Sequence, residues 1–331
     1  MPNSLKSRLK GVFALMVLVT LSALPTSYAQ STSDKPLNVV IPFAPGGGTD
    51  VLTRMVMPKV ADKLGVGTII ENRPGAAGAI GAQFVARATP DGKTLLVGSV
   101  SEIGVNPSIY PKLAYNVERD FVAVTALAAA PMVLVVHPSS QIKVAGDLVN
   151  LAQANPGKIN FGSAGTGSGA HMAAELFIFE TKIKLTHVPY KGTGAVAADM
   201  LGQQRDMVMF APLPAVAGIV RSGQLKAIAL TGKKRSAAMP DVPTFIEAGI
   251  PGFDMDYWYG LMAPAGTPAS ARNALHLAAL EVLNKPEMVA DLLKQGLVPT
   301  ITTEKEFAAF VQADMAKWAQ VVKAADIKAD Q

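Results

Sequence analysis

Three successive glycines, Gly46-Gly47-Gly48, stand between the apolar run Leu37–Pro42 and Thr49-Asp50, where a helix over Val51–Leu64 is expected to begin. Glycines at such a junction let the main chain approach a ligand closely. The N–H groups at a helix start, with the dipole behind them, form an anion site. The stretch IPFAPGGGTDVLTR, Ile41 to Arg54, lacks the Lys-Ser/Thr ending of a P-loop, and Val51 stands where the third glycine of a dinucleotide loop would be. A smaller anion than a nucleotide phosphate is expected.

Other chemistries lack their residues. The chain has no cysteine, which removes thiol catalysis, disulfides, thiolate metal sites and a lipidated cysteine together. His137, His171, His187 and His276 show no i, i+2 or i, i+4 pairing, and no serine sits in Gly-x-Ser-x-Gly. No catalytic residue, metal or cofactor is expected. Gly92-Lys93-Thr94 mimics the end of a P-loop, but Arg87 replaces the leading glycine and a strand follows. Gly165-x-Gly167-x-x-Ala170 and Gly192-x-Gly194-x-x-Ala197 fit the loose dinucleotide pattern, so an NAD-dependent oxidoreductase is the enzymatic alternative. Neither is followed about 20 residues on by an acidic residue at a strand end.

The elements that would position these loops alternate. Strands are expected at Leu37–Pro42, Thr68–Glu71, Thr94–Ser99, Ile159–Gly162, Leu185–Pro189, Met207–Phe210 and Lys226–Thr231. Helices fall between most of them, with glycine turns at Asn72–Gly81, Ser163–Gly169 and Tyr190–Gly194. Such alternation predicts parallel α/β architecture. Two longer strands, Phe121–Val136 and Asp256–Ala263, break the pattern and are read as crossings between two lobes. Lobe 1 would comprise residues 30–131 and 256–331, and lobe 2 residues 132–255. Ligands of open parallel sheets lie beyond the carboxyl ends of the strands, so two facing lobes would enclose a cleft and close about a hinge.

Lys6, Arg8 and Lys10 precede the apolar run Gly11–Leu24, and Ser27-Tyr28-Ala29 supplies small residues before a cleavage point. This pattern predicts an export signal over residues 1–29, cut after Ala29. With no cysteine, the expected compartment is a bacterial periplasm. The basic excess is modest once these residues are removed, at 27 Lys/Arg against 25 Asp/Glu. No basic block with interleaved aromatics is present, so nucleic acid is not an expected partner.

Five ordered segments resemble the signatures of the Bug family, the periplasmic receptors of tripartite tricarboxylate transporters. They are Ile41–Arg54, Glu71–Gly78 (ENRPGAAG), Pro90–Leu96 (PDGKTLL), Val188–Gly192 (VPYKG) and Leu261–Pro268 (LMAPAGTP). The resemblance implies a type II periplasmic-binding-protein fold with two lobes and a central cleft. It also implies a monomer that takes a small carboxylate and delivers it to integral-membrane permease subunits, or that acts as a sensor. In that family main-chain amides of both lobes grip the carboxylate. On this sequence the first cradle would be Phe43, Ala44, Pro45, Gly46, Gly47 and Gly48. Thr49 would be the helix cap and Asp50 a first-turn carboxylate, both either capping or touching ligand. The opposing loops would be Ser163, Ala164, Gly165 and Thr166 with Tyr190, Lys191 and Gly192, and Ser99 closes its strand nearby. His171 is either a structural histidine or a ligand contact. Where many members carry an acidic residue after strand Met207–Phe210, this chain has Ala211, which favours organic acids over amino acids.

Overall fold

The computed structural model describes residues 35–202, 206–253, 255–324 and 327–328. The expected export signal lies outside them, and among the described residues no helix is long and apolar enough to cross a membrane. Strand β1 (Leu37–Ile41) leads into helix α1 (Gly48–Lys63), then β2 (Thr68–Asn72), α2 (Ala79–Ala86) and β3 (Thr94–Ser99). A single π-helical turn, Val100–Val105, and the short helices α3 (Asn106–Ile109) and α4 (Val117–Asp120) lead to the long β4 (Phe121–Val136). There follow α5 (Ala145–Ala154), β5 (Asn160–Ser163), α6 (Gly169–Thr181), β6 (Thr186–Pro189), α7 (Thr193–Gly202), β7 (Val208–Pro212), α8 (Leu213–Arg221) and β8 (Lys226–Leu230). The chain ends with β9 (Asp256–Pro264), α9 (Ala269–Leu283), α10 (Pro286–Lys294), the two-residue β10 (Val298–Pro299) and α11 (Glu304–Ala324).

Among the named strands of the described residues, parallel pairing is found in β2-β1-β3 and in β6-β5-β7. β4 and β9, the two long strands expected to break the parallel pattern, run antiparallel to their neighbours. β4 joins the two halves as one strand. Residues 121–131 pair β9, and residues 132–136 pair β7 and β8. β9 begins at this junction, Asp256 opposite Pro131. Thr231 fastens it, its Oγ1 accepting from Met132 N at 2.7 Å and donating to Met255 O at 2.5 Å.

The inner strands read as continuous apolar runs because helices cover both faces. Val39, Val40, Leu95 and Leu96 are fully buried, as are Leu52, Val56 and Val60 on α1. The C-terminal helix belongs to the same core as β9: the tip of the Phe307 ring of α11 meets Gly260, where an added Cβ would sit 2.0 Å from its Cζ.

Candidate functional site

α1 starts earlier than expected. Gly47 is the N-cap, with no side-chain cap, and Thr49 and Asp50 lie inside the first turn, so Thr49 is not the cap. Gly46, at φ +85°, takes the left-handed backbone that other residues resist. Its N–H donates to Asp50 Oδ2 at 3.1 Å. Asp50 Oδ1 accepts from Arg54 Nε and from Asn72 Nδ2, each at 3.0 Å, and Asn72 Nδ2 also donates to Phe43 O. The Asp50 carboxylate therefore pins the loop and holds the Arg54 guanidinium. Arg73 pairs with Glu71 at 2.7 Å and lies over the Phe84 ring.

Across the cleft, Ser163 Oγ accepts from Gly165 N and bonds His187 Nε2 at 2.5 Å. Ser168 caps α6, accepting from His171 N. Gly167 N donates to His171 Nδ1 at 3.2 Å, which assigns the ring proton to Nε2, facing Glu175 at 3.4 Å. His171 stacks on His187 at 4.2 Å, and His187 on Phe161 at 4.9 Å. His171 thus supports the loop from beneath and lines neither of the cavities described next.

The two sets of loops meet. Ala44 N donates to Lys191 O at 3.4 Å, and Cβ atoms added at Gly192 and Gly194 would lie 3.0 Å from Ala44 and 2.6 Å from Pro45 O. Between them is an inner cavity of about 20 Å³, lined by Phe43, Gly47, Gly48, Thr49, Ala164, Ser168, Gly169, Ala170, Thr193, Pro212 and Tyr257. None of these side chains carries a charge. The N-termini of α1, α6 and α7 all open onto it, each a partial positive charge of roughly half a unit. Ala164 also borders an outer cavity of about 300 Å³, with Gly75, Ala76, Ala77, Tyr110, Gly165, Thr166, Pro189, Tyr190 and Lys191. Tyr190 is held there by its bond to Asp199 Oδ2; desolvation first, then that carboxylate, pushes its phenol up to about 12. A larger groove of about 480 Å³, at Pro131, Lys233, Asp256 and Leu293, lies along β4 and β9 away from the glycine turns.

Ser99 lines neither cavity. Its side chain caps the π-helical turn and binds Glu102. Sequence reasoning missed Tyr257, Thr193, Pro212, Tyr110 and the Gly75–Ala77 wall. Ala76 and Ala77 both take φ +47°, a left-handed conformation costing an alanine on the order of 1–2 kcal/mol. Asn106 Nδ2 holds the turn by donating to Ala77 O at 3.1 Å. Strain of this kind clusters at binding sites, and the glycines flanking the two alanines were its sequence signal.

Two α/β halves joined through β4, with a cleft lined by glycine turns and helix starts, define a two-lobe binding protein. The chain belongs to the tripartite tricarboxylate transporter receptor family, whose model matches residues 52–327. It is 34% identical to Protein BugT of Bordetella pertussis over 96% of this chain and 97% of that protein. Its fold is similar to that of an R. palustris protein solved with adipate, at TM-score 0.86 and 29% identity, covering 89% of this chain and 98% of that one. It is also similar to MatC from Rhodopseudomonas palustris with bound malate, at TM-score 0.82 and 32% identity, covering 87% and 98%.

Proposed function

We propose that this chain is a periplasmic receptor that closes on a small organic acid and presents it to integral-membrane permease subunits, acting as a carrier without catalysis and as a monomer. The observation that carries the reading is the uncharged inner cavity onto which three helix N-termini open. A carboxylate there meets main-chain N–H groups and dipoles from both lobes. Adipate and malate in related structures support an organic acid. The lobes are residues 30–131 with 256–331, and 132–255, with cleavage after Ala29. Phe43–Gly48, Ser163–Thr166 and Tyr190–Gly192 provide the main-chain walls, and Lys191 borders the body of the ligand. Asp50, Ser99 and His171 act by positioning those walls. Ala211 leaves no carboxylate at the strand end for a ligand ammonium, which favours plain organic acids.

Thermal unfolding of the exported form against a panel of organic acids, amino acids and NAD tests this. A matching acid at 100 times its Kd is expected to add about 2.7 kcal/mol of stability, and NAD none. Stabilisation by NAD and by no acid would overturn the reading.

If amides and dipoles hold the carboxylate, no single arginine is indispensable. Arg54→Ala and Arg73→Ala are each expected to weaken acid binding less than tenfold, under about 1.4 kcal/mol by calorimetry. Removing a buried, charge-paired arginine costs about 2–5 kcal/mol, so a hundredfold loss in either variant, with its circular dichroism spectrum intact, would point to an arginine clamp instead.

A further inference from the structure

Glu102 has no role in the site as described, yet it is fully buried a few ångströms behind it. Its carboxyl accepts from Ser99 N at 2.5 Å and bonds Ser99 Oγ at 2.8 Å. Ser99 Oγ bonds the Tyr257 hydroxyl at 2.8 Å. Thr49 and Tyr257 both line the inner cavity. A side branch joins Ser101 Oγ to the Tyr257 hydroxyl at 3.0 Å, and Ser101 Oγ accepts from Gly169 N, across the cleft, at 2.9 Å.

We propose that Glu102, Ser99 and Tyr257 form a hydrogen-bond relay whose direction is set by the proton on Glu102, so that a carboxylate is captured only when Glu102 is neutral. The proposal rests on the reading that the ligand's carboxylate enters the inner cavity. Donor and acceptor counts close in both directions. A tyrosine hydroxyl has one hydrogen and two lone pairs; Ser99 and Ser101 take two of these three places, and the third is left for the ligand. With Glu102 neutral, its O–H donates to Ser99, Ser99 donates to Tyr257, and the Tyr257 hydrogen is left for the ligand. Ser101 donates into the second lone pair of Tyr257. With Glu102 ionised the chain reverses: Ser99 donates to Glu102 and Tyr257 to Ser99. The cavity then faces an oxygen lone pair, with a negative charge behind it. No covalent bond changes, and the proton that Glu102 loses goes to solvent.

The surroundings favour the neutral form. The titratable groups facing Glu102 are Tyr115, whose hydroxyl donates to Glu102 O, and Tyr257. Gly78 and Gly98 pack on the other sides. No cation is recorded beside it among the described residues, and burial pushes its carboxyl up to about 8.

Calorimetric titration with malate and with adipate at pH 7 and about pH 9.5 tests the coupling, in a window above the ordinary histidine range and below that of lysine. Wild-type affinity is expected to fall at least tenfold between the two. In Glu102→Gln the amide N–H₂ fixes the donating direction, and the change is expected to stay within threefold. Ser99→Ala cuts the relay and should flatten the response likewise. Infrared spectra of the ligand-free protein at pH 7 should contain a protonated carboxylic-acid band that Ser99→Ala keeps and Glu102→Gln lacks. Binding with a flat wild-type response, or absence of that band, would overturn the relay alone. Failure of both acids to bind at pH 7 would overturn the carboxylate reading, and the relay with it.

Discussion

Gly48→Val is expected to weaken organic-acid binding at least a hundredfold while leaving the far-ultraviolet circular dichroism spectrum unchanged. A Cβ at this position would lie 2.2 Å from the Tyr259 hydroxyl and 3.1 Å from both Pro212 and Pro214. Tyr259 cannot retreat readily, because it is fully buried and its ring packs on Tyr257 at 5.0 Å. Pro212 and Pro214 belong to the opposite wall at the start of α8, so the branched side chain forces the lobes apart where the helix starts must converge. Overpacking a close contact costs roughly 1–3 kcal/mol, and the lost convergence of dipoles adds to it. A hundredfold loss corresponds to about 2.8 kcal/mol. Gly47→Ala is the contrast, since a Cβ there meets only Ala44 O at 3.8 Å; it reads contact with the ligand rather than closure of the lobes. Calorimetry that finds Gly48→Val binding within threefold of wild type would show that the loops do not close as described.

The parts of this molecule that were legible in its sequence are those encoded locally. β4 is a long run, apolar but for Thr125 and flanked by polar residues, and its boundaries, Phe121 and Val136, agree with the sequence reading. The start of α1 was placed three residues late, at Val51 rather than Gly48, because glycine and threonine there resemble loop. That shift is what made Thr49 look like a cap. Helices α8 and α10, each with a proline in its first turn, were overlooked although proline favours that position. The site divided in the same way. Glycine turns announce themselves, whereas Tyr257 and Pro212 join the cleft through tertiary contact, and nothing in their neighbours' spacing marks them. His171 and His187 are 16 positions apart and stack only because α6 packs on β5 and β7 while β6 pairs alongside β5. Ser99-x-x-Glu102 was within reach: it is the capping-box pattern, and the structure places both halves of that box at the π-helical turn.

Glu102 should also give the ligand-free protein an unusual dependence on pH. In the folded state burial holds its carboxyl up to about 8, against the ordinary value of 4.5. Between those values the folded chain keeps a proton that the unfolded chain has released, so stability falls as pH rises, by at most about 1.4 kcal/mol per unit. Above the folded-state value the loss is complete. Over the window this amounts to a few kcal/mol, on the order of 3–5. Other groups change the wild-type curve as well: Asp314, raised by burial, acts in the same direction, while Asp120, lowered chiefly by Arg119, acts oppositely and at lower pH. Comparison with Glu102→Gln removes their contribution, since both proteins carry them. Urea denaturation at pH 5.5 and pH 8 is therefore expected to show the wild type losing at least about 2 kcal/mol more than the variant between the two. A difference below about 0.5 kcal/mol would mean that Glu102 is already ionised in the folded chain. In that case desolvation would not be the dominant effect on this carboxyl, and the two hydrogen bonds from Ser99 would have to stabilise a buried anion by themselves.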